Sequence, residues 1–170
     1  MNVAALQMVS GTGQADNLRA ARALLEQAAR GGAELAVLPE YFCLMGHRDT
    51  DKLALREADG EGLVQRFLAD AARELGMWIV GGTLPLASDA PERVRNTTLV
   101  YDPRGDRVAR YDKIHLFQFD NGREHYDEAR VIEAGRTPVQ FDLPSRDGHR
   151  WRVGLSVCYD LRFPELYRAH

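Results

Sequence analysis

Residues 16–40 read DNLRAARALLEQAARGGAELAVLPE, and this stretch carries the pattern that decides the fold. Apolar residues recur in its first part at the spacing of one helix face, at Leu18, Ala21, Leu24, Leu25 and Ala28. Asp16 is placed to cap the start of this helix, and Gly31 or Gly32 is placed to end it. The spacing therefore predicts a helix over residues 16–30.

The segments on either side extend this pattern. The apolar run at 34–40 predicts a strand that Pro39 terminates, and a similar run predicts a strand at 2–8. A second helical pattern covers 61–75, and the apolar stretch 77–82 follows it as a third strand. The β-α-β-α-β alternation indicates a layered α/β unit with helices packed against a sheet.

The second half of the chain has a different pattern. Turn sequences at 102–106 (DPRGD) and 145–148 (SRDG) lie between strand-like runs, and each predicts a β-hairpin. A long polar segment, 116–137, separates the two hairpins, and a loop of that length in a compact domain is usually functional. We find no internal repeat or linker, so we expect one domain over residues 1–170.

Composition narrows the classes of function. The chain has 170 residues and a net charge of −3, which argues against nucleic acid and anionic membranes as partners. No apolar run is long enough to span a bilayer, and the N-terminus does not resemble a signal peptide. Two cysteines make no disulfide framework, so we expect reduced thiols and a cytoplasmic protein.

One of these cysteines lies between a predicted strand and a predicted helix. Alternation across 153–158 (VGLSVC) places the three large apolar side chains on one face and Cys158 on the other, at the strand end. Pro164 is typical of a first helical turn, so the thiol would lie near a helix start that favours the reactive thiolate. A buried structural cysteine is an equally good interpretation of this segment alone. Ser156 is a weak rival nucleophile, because the second glycine of a nucleophile elbow is absent.

Several segments together resemble the nitrilase, or carbon–nitrogen hydrolase, superfamily. The stretch VGLSVCYDLRFPELYR is similar to the family's nucleophile segment, and LAVLPEYF and ARYDKIHLF are similar to those that carry its catalytic glutamate and lysine. The long loop adds HYDEARVIEAG, which resembles the segment with a second active-site glutamate. On this resemblance the site residues are Glu40, Lys113, Glu128 and Cys158. The motifs look most like those of small-amide hydrolases of the ω-amidase and deaminated-glutathione amidase type.

The resemblance also implies a fold and an extent. The family's domain is an α-β-β-α four-layer sandwich, a variety of α/β fold that some schemes class as α+β. Its members continue well past the nucleophile segment. We therefore expect the domain at 1–170 to be incomplete at its C-terminus.

The chemistry implied is covalent hydrolysis of a carbon–nitrogen bond in a small carboxylated amide. Cys158 would attack the carbonyl carbon, because a thioester intermediate divides a difficult hydrolysis into two easier steps. Lys113 and the backbone N–H of Tyr159 would stabilise the oxyanion, and Glu40 would act as general base and acid. Glu128 would orient the lysine or the substrate. No metal ion or organic cofactor is required.

Each of these residues also has a simpler interpretation. Taken singly, Glu40 is a loop carboxylate, Lys113 a solvated strand lysine, and Glu128 part of a charged surface loop. Only their joint pattern favours the catalytic interpretation. Cys43 and His47 lack the partner pair of a zinc site, so a structural role is expected for them.

Other candidates have secondary roles. His115 is expected to pack or hydrogen-bond locally, and Asp160 to be structural. A substrate carboxylate could be bound by an arginine, and no spacing argument distinguishes Arg48, Arg123 and Arg162.

Two other functions remain open. One is a catalytically impaired short form that acts only by binding or assembly, and the other is a nitrilase or N-carbamoyl hydrolase. The resemblance implies a homo-oligomer, a dimer or higher, and a second chain that supplies the remaining residues is a further possibility. The expected partner in the site is a small-molecule amide.

Overall fold

Two successive β-α-β units form the first half of the chain. The computed structural model describes residues 1–170. The elements are β1 (Val3–Ala5), α1 (Gln14–Arg30), β2 (Leu35–Val37), α2 (Asp51–Ala54), α3 (Leu63–Leu75), β3 (Trp78–Val80), β4 (Leu84–Ala87), β5 (Val94–Tyr101), β6 (Arg107–Asp112), β7 (Gln118–Asp120), β8 (His125–Asp127), β9 (Gln140–Pro144), β10 (Arg150–Gly154) and α4 (Pro164–Arg168). Two 3₁₀ turns cover Glu128–Arg130 and Cys158–Arg162.

Six strands form the main sheet. Its order is β1-β2-β3-β5-β4, with β6 also paired to β5. The first three strands are parallel, as the β-α-β-α-β prediction requires, and β5 pairs antiparallel with β3, β4 and β6. The hairpin predicted at 102–106 is confirmed as the β5–β6 pair. The sheet therefore combines a parallel half with an antiparallel half.

Apolar clusters on the two faces of this sheet define three layers. Helices α1 and α3 cover one face, where Leu25, Leu68 and Ile79 are fully buried in a common core. The β9–β10 hairpin covers the other face through a second cluster that includes Tyr111 and Leu143. The hairpin predicted at 145–148 is thus confirmed as a second sheet. The order of the layers is helix, sheet, sheet.

Local signals explain most helix ends and correct one prediction. Gly31 ends α1. Gly76 ends α3, and Gly76 adopts a left-handed conformation that suits a residue without a side chain. The prediction that Asp16 caps α1 is wrong, because the helix begins at Gln14 and Gly13 occupies the capping position. Asp16 lies instead in the first turn, where its carboxylate faces the positive end of the helix dipole.

Two features of the antiparallel half were not predicted. Strand β4 is short and contains Pro85, a residue depleted in strands, yet it pairs with β5 along its whole length. The long segment 116–137 is not a plain loop, since β7 and β8 form a small antiparallel hairpin within it.

Gly82 brings the end of β3 against the chain that leaves β2. Its φ is +51°, and a Cβ at this position would lie 2.0 Å from the carbonyl oxygen of Pro39. A side chain would therefore meet rigid main chain immediately before Glu40. The approach of these two strand ends fixes the path of residues 38–41.

We predict that Gly82→Ala lowers the free energy of unfolding by about 3 kcal/mol, because a strained φ and an overpacked contact add together. Gly148→Ala is the matched control, since Gly148 also has a positive φ, +84°, but has open space around its Cβ position. That change should cost about 1 kcal/mol. Urea denaturation of the two variants measures the difference. Equal losses of unfolding free energy in the two variants would show that the contact with Pro39 adds nothing to the cost of Gly82→Ala.

Candidate active site

Glu40 follows β2 in a tight turn. The next residue, Tyr41, has a φ of +51°, and its N–H donates to Thr83 Oγ1 at 2.8 Å. The Glu40 side chain is only 26% exposed, and its Oε1 accepts hydrogen bonds from Asn96 Nδ2 at 2.7 Å and from Lys113 Nζ at 3.2 Å. Glu40 is therefore a held carboxylate facing inward, not a mobile loop residue.

Lys113 follows β6 and is fully buried. Its N–H donates to the Asn96 carbonyl at 2.9 Å, and its own carbonyl accepts from the Gly135 N–H at 2.8 Å. The Nζ atom lies 3.2 Å from Glu40 Oε1 and 2.9 Å from Glu128 Oε2. Burial alone would lower the pKa of this ammonium, but the two carboxylates outweigh it and raise the pKa. Lys113 is therefore charged at neutral pH, and the solvated-lysine interpretation is wrong.

Glu128 is delivered to Lys113 by the β7–β8 hairpin. Its main-chain N–H donates to the Phe117 carbonyl at 3.0 Å, and its Oε2 accepts from the Phe117 N–H at 2.7 Å. The two residues thus close the base of the hairpin through both main chain and side chain. Asp127 caps the 3₁₀ turn that follows by accepting from the Ala129 N–H at 3.0 Å. The long polar segment therefore places one carboxylate at a fixed position.

Cys158 follows β10 and opens the second 3₁₀ turn with a φ of +50°. Its thiol is exposed, in contrast to the buried thiol of Cys43, whose pKa burial raises to about 12. A non-glycine residue in this conformation is strained, and such strain is concentrated at functional sites. The structure therefore excludes the interpretation of Cys158 as a buried structural cysteine.

The expectation of a stabilised thiolate at Cys158 is wrong. Desolvation raises the pKa of the thiol, and so does the negative charge of Glu40, while Lys113 acts in the opposite direction. The helix α4 begins only at Pro164, beyond the 3₁₀ turn that Cys158 opens, and a helix dipole acts mainly on groups near its first turn. The thiol is consequently protonated at neutral pH and needs a base to remove its proton.

Cys158 and Glu40 line the same small cavity, of about 140 Å³. Its other walls include Gly82, Thr83 and Ser156. The Oγ of Ser156 accepts a hydrogen bond from the Tyr167 hydroxyl at 2.9 Å. A larger cavity, of about 720 Å³, shares no lining residue with this one and is lined mainly by charged side chains. The small cavity is the one that adjoins the thiol and the carboxylate.

The remaining predicted residues occupy different surroundings. The ring of Tyr159 packs edge-on against Phe117, with the ring centroids 5.3 Å apart, so the residue after the thiol is held beside the base of the β7–β8 hairpin. Arg48, Arg123 and Arg162 are exposed, and none of them lines the cavity. The structure thus gives no support for any of the three as a substrate-binding arginine.

Asn96 is a site residue that sequence reasoning missed. It lies in β5, is fully buried, and donates its side-chain amide to Glu40. Its main-chain carbonyl also holds the Lys113 N–H, so one residue contacts both members of the ion pair. The only signal in the sequence is a polar residue within a strand-like run, which does not identify its partner.

None of the helices is both long enough and apolar enough to cross a membrane. No group of three metal-ligating side chains lies close enough together to hold a metal ion.

A thiol, an ammonium group and two carboxylates thus converge at strand ends of a layered α-β-β fold, the arrangement expected of a carbon–nitrogen hydrolase. The sequence profile of the family described as carbon-nitrogen hydrolase matches residues 2–170. The chain therefore belongs to this family.

Named relatives and solved structures agree with this assignment. The chain is 37% identical over 169 residues to a deaminated glutathione amidase from Synechocystis sp., covering 97% of this chain and 60% of that protein. It is 32% identical over 170 residues to the omega-amidase NIT2 of Homo sapiens, covering 99% of this chain and 58% of the relative. The structure superposes on an amidase from Nesterenkonia sp. with a TM-score of 0.80 and 28% identity, over 99% of this chain and 59% of that chain. This likeness confirms the predicted fold class.

We predict that Lys113→Met lowers the free energy of unfolding by about 3 kcal/mol, because it leaves two partly buried carboxylates close together without their cation. Arg19→Met is the control, since Arg19 pairs with Asp16, both side chains are 73% exposed, and such a pair should contribute less than about 1 kcal/mol. Urea denaturation at pH 7 measures both. Adding Glu128→Gln to Lys113→Met should recover part of the loss, and a further loss would contradict this account of the ion pair.

Proposed function

We propose that this chain carries the catalytic residues of an amidase that hydrolyses a small carboxylated amide to the acid and ammonia. The single observation that supports this most strongly is the buried Lys113 ammonium, held between Glu40 and Glu128 beside the exposed thiol of Cys158. The relatives are named deaminated glutathione amidase and omega-amidase, and both names describe hydrolysis of amides. The chain spans 58% and 60% of the length of these two relatives.

In the first step, Glu40 takes the proton of the Cys158 thiol while the sulfur attacks the carbonyl carbon. The raised pKa of the thiol supports the need for a base, and the cavity that Glu40 and Cys158 both line supports Glu40 in that role. Lys113 and the N–H of Tyr159 stabilise the negative oxygen that forms. Glu40 then gives its proton to the departing ammonia, leaving a thioester on Cys158.

In the second step, water hydrolyses the thioester. Glu40 accepts a proton from the attacking water, and the tetrahedral intermediate collapses to release the acid while Glu40 returns that proton to the departing sulfur, which restores the thiol and the carboxylate. The charge of Lys113 changes in neither step, because the two carboxylates favour its protonated form. Glu128 orients Lys113 throughout. No step requires a metal ion or an organic cofactor.

The cavity size and a solved structure support this assignment. A volume of about 140 Å³ suits the amide end of a small molecule better than a bulky group. A Glu-to-Gln mutant of the Nesterenkonia amidase carries the product of Michael addition of acrylamide at its active-site cysteine. Cys158 is the corresponding nucleophile in this proposal. Hydrolysis of a nitrile or an N-carbamoyl group has no specific observation in its favour.

We further propose that the chain works in the cytoplasm and associates with another polypeptide, either a second copy or a different chain that covers the free edge of β10. Strand β10 pairs on one side only, with β9. Exposed apolar side chains lie on and after it, with Trp151 45%, Leu161 70% and Tyr167 42% exposed. Apolar surface next to an unpaired strand edge favours association.

The activity test uses deaminated glutathione and an ω-amide of a 2-oxo acid as substrates. We predict ammonia release by the parent chain and none by Cys158→Ala, because the covalent step is lost. Cys43→Ala is the matched control and should retain activity, since that thiol is fully buried and does not line the cavity. Ammonia release by the parent that does not exceed that of Cys158→Ala would contradict the proposed function.

A second test separates the electrostatic role of Glu40 from its role as base. The carboxylate raises the pKa of Cys158, so Glu40→Gln should lower that pKa and increase the thiolate fraction at pH 8. We predict that iodoacetamide alkylates Cys158 roughly three- to tenfold faster in this variant, while amide turnover falls. Glu26→Gln, on the surface of α1, should leave both rates unchanged. Slower alkylation of Glu40→Gln at pH 8 would contradict the assigned electrostatics.

A further inference from the structure

Asp160 is a fully buried carboxylate that the proposed mechanism does not use. Its Oδ2 accepts hydrogen bonds from the Tyr111 hydroxyl at 2.6 Å and from the Val157 N–H at 2.9 Å. Its Oδ1 accepts from the His115 N–H at 3.0 Å and lies 2.7 Å from His115 Nδ1. Both oxygens of one side chain thus bind groups from two separate parts of the chain.

The His115 ring is fixed from a second direction. It stacks on the Phe163 ring with the ring centroids 3.6 Å apart and the planes 7° from parallel. Because a carboxylate oxygen can only accept, His115 Nδ1 carries the proton in this contact. The ring therefore contacts both Asp160, within the second 3₁₀ turn, and Phe163, the residue that ends it.

These contacts join the two segments that carry Lys113 and Cys158. His115 lies two residues after Lys113, and Asp160 lies two residues after Cys158. No direct contact is needed between the lysine and the cysteine for their separation to be set. The distance between their main chains is determined by the His115–Asp160 contact and by Tyr111, which precedes Lys113 by two residues.

We propose that His115 and Asp160 are positioning residues that hold the Lys113 ammonium at a fixed place relative to the Cys158 thiol. Where turnover is concerned, this inference rests on the proposed amidase function. Neither side chain touches the reacting atoms in this assignment. Asp160 also holds the Val157 N–H, immediately before the strained φ of Cys158, so the same carboxylate stabilises the conformation that presents the thiol.

The size of the effect follows from the demands of the chemistry. The oxyanion must form within hydrogen-bond distance of Lys113 at the moment the sulfur attacks, and a displacement of about 1 Å can cost about 100-fold in rate. A buried carboxylate with four hydrogen-bond contacts is a stiff connection, since breaking any of them leaves a polar group without its partner.

Two substitutions at position 115 separate the hydrogen bond from the ring. His115→Phe keeps an aromatic ring to stack on Phe163 but loses the side-chain donor to Asp160. His115→Asn loses the ring but can place an amide donor near the position of Nδ1. If positioning depends on the hydrogen bond, His115→Phe should lower kcat about 10- to 100-fold with KM within about twofold. His115→Asn should recover at least half of this loss, measured on a logarithmic scale of kcat.

Alkylation of Cys158 by iodoacetamide, followed by mass spectrometry against pH, provides a readout that does not depend on turnover. Glu40, Lys113 and Glu128 are the charged groups that face this thiol, and Lys113 is the one that favours the thiolate. Displacement of Lys113 in His115→Phe should therefore move the alkylation profile to higher pH, while His115→Asn stays close to the parent. A residue that only stabilises the fold would lower the melting temperature and leave the profile in place.

The proposal is overturned if His115→Phe keeps the parent's profile, or if the Phe and Asn variants shift it equally. Should His115→Phe fail to fold, Phe163→Leu replaces it, because this change loosens the ring and leaves every hydrogen bond of Asp160 available. It should move the profile in the same direction by a smaller amount, and an unchanged profile would again overturn the proposal. A parent chain without turnover would contradict the amidase assignment, and the alkylation profiles would still decide the positioning role.

Discussion

The buried ammonium of Lys113 is the constraint on which the rest of the site depends. A charge without access to water is costly unless it is paired, and its two partners come from segments far away in sequence. Glu40 arrives from the end of β2 and Glu128 from the base of the β7–β8 hairpin, so both segments must reach the end of β6. The pairing of Lys113 with the two carboxylates therefore requires the tertiary fold to bring three distant segments together.

Unusual local backbone conformations allow these segments to come together. Tyr41 and Cys158 both have φ near +50°, and each lies at the point where a strand ends and a functional side chain is presented. Gly82 and Gly135 allow main chains to approach where a Cβ would lie 2.0 Å from a carbonyl oxygen. Strain of this kind persists only where the surrounding contacts over-determine it. Here those contacts are the turn at residues 38–41 and the hydrogen bonds of Asp160.

The sequence predicted the elements whose signals are local. Helices α1 and α3 and the hairpins β5–β6 and β9–β10 follow from periodicity and turn residues close together in the chain. The short strand β4 has no such signal, because it is stabilised by pairing with β5 and contains Pro85. Asp16 illustrates the limit of capping rules, since a helix can begin before the residue best suited to cap it.

The sequence pattern could not predict the electrostatic effects of residues that are distant in the chain and close in space. The four candidate site residues were identified by their resemblance to family motifs, and the structure brings their side chains into one neighbourhood. The pKa of Cys158 was predicted in the wrong direction, because only the strand-to-helix junction was considered. The contributions that raise this pKa are partial desolvation of the thiol and the negative charge of Glu40, which comes from another strand end. Asn96 was missed for the same reason, since its role depends on which residue lies across β5.

Glu40 has two opposed effects on the thiol, and the balance between them defines how the site works. As a fixed negative charge it disfavours the thiolate, which keeps the resting sulfur protonated and less open to adventitious alkylation or oxidation. As a neighbouring base it can accept that proton at the moment of attack, when the charge passes from sulfur to the carbonyl oxygen. Lys113 is already paired to the carboxylate that would become neutral. Moving the proton to Glu40 would therefore free the ammonium to serve the oxyanion, so one transfer both activates the nucleophile and strengthens the group that stabilises its product.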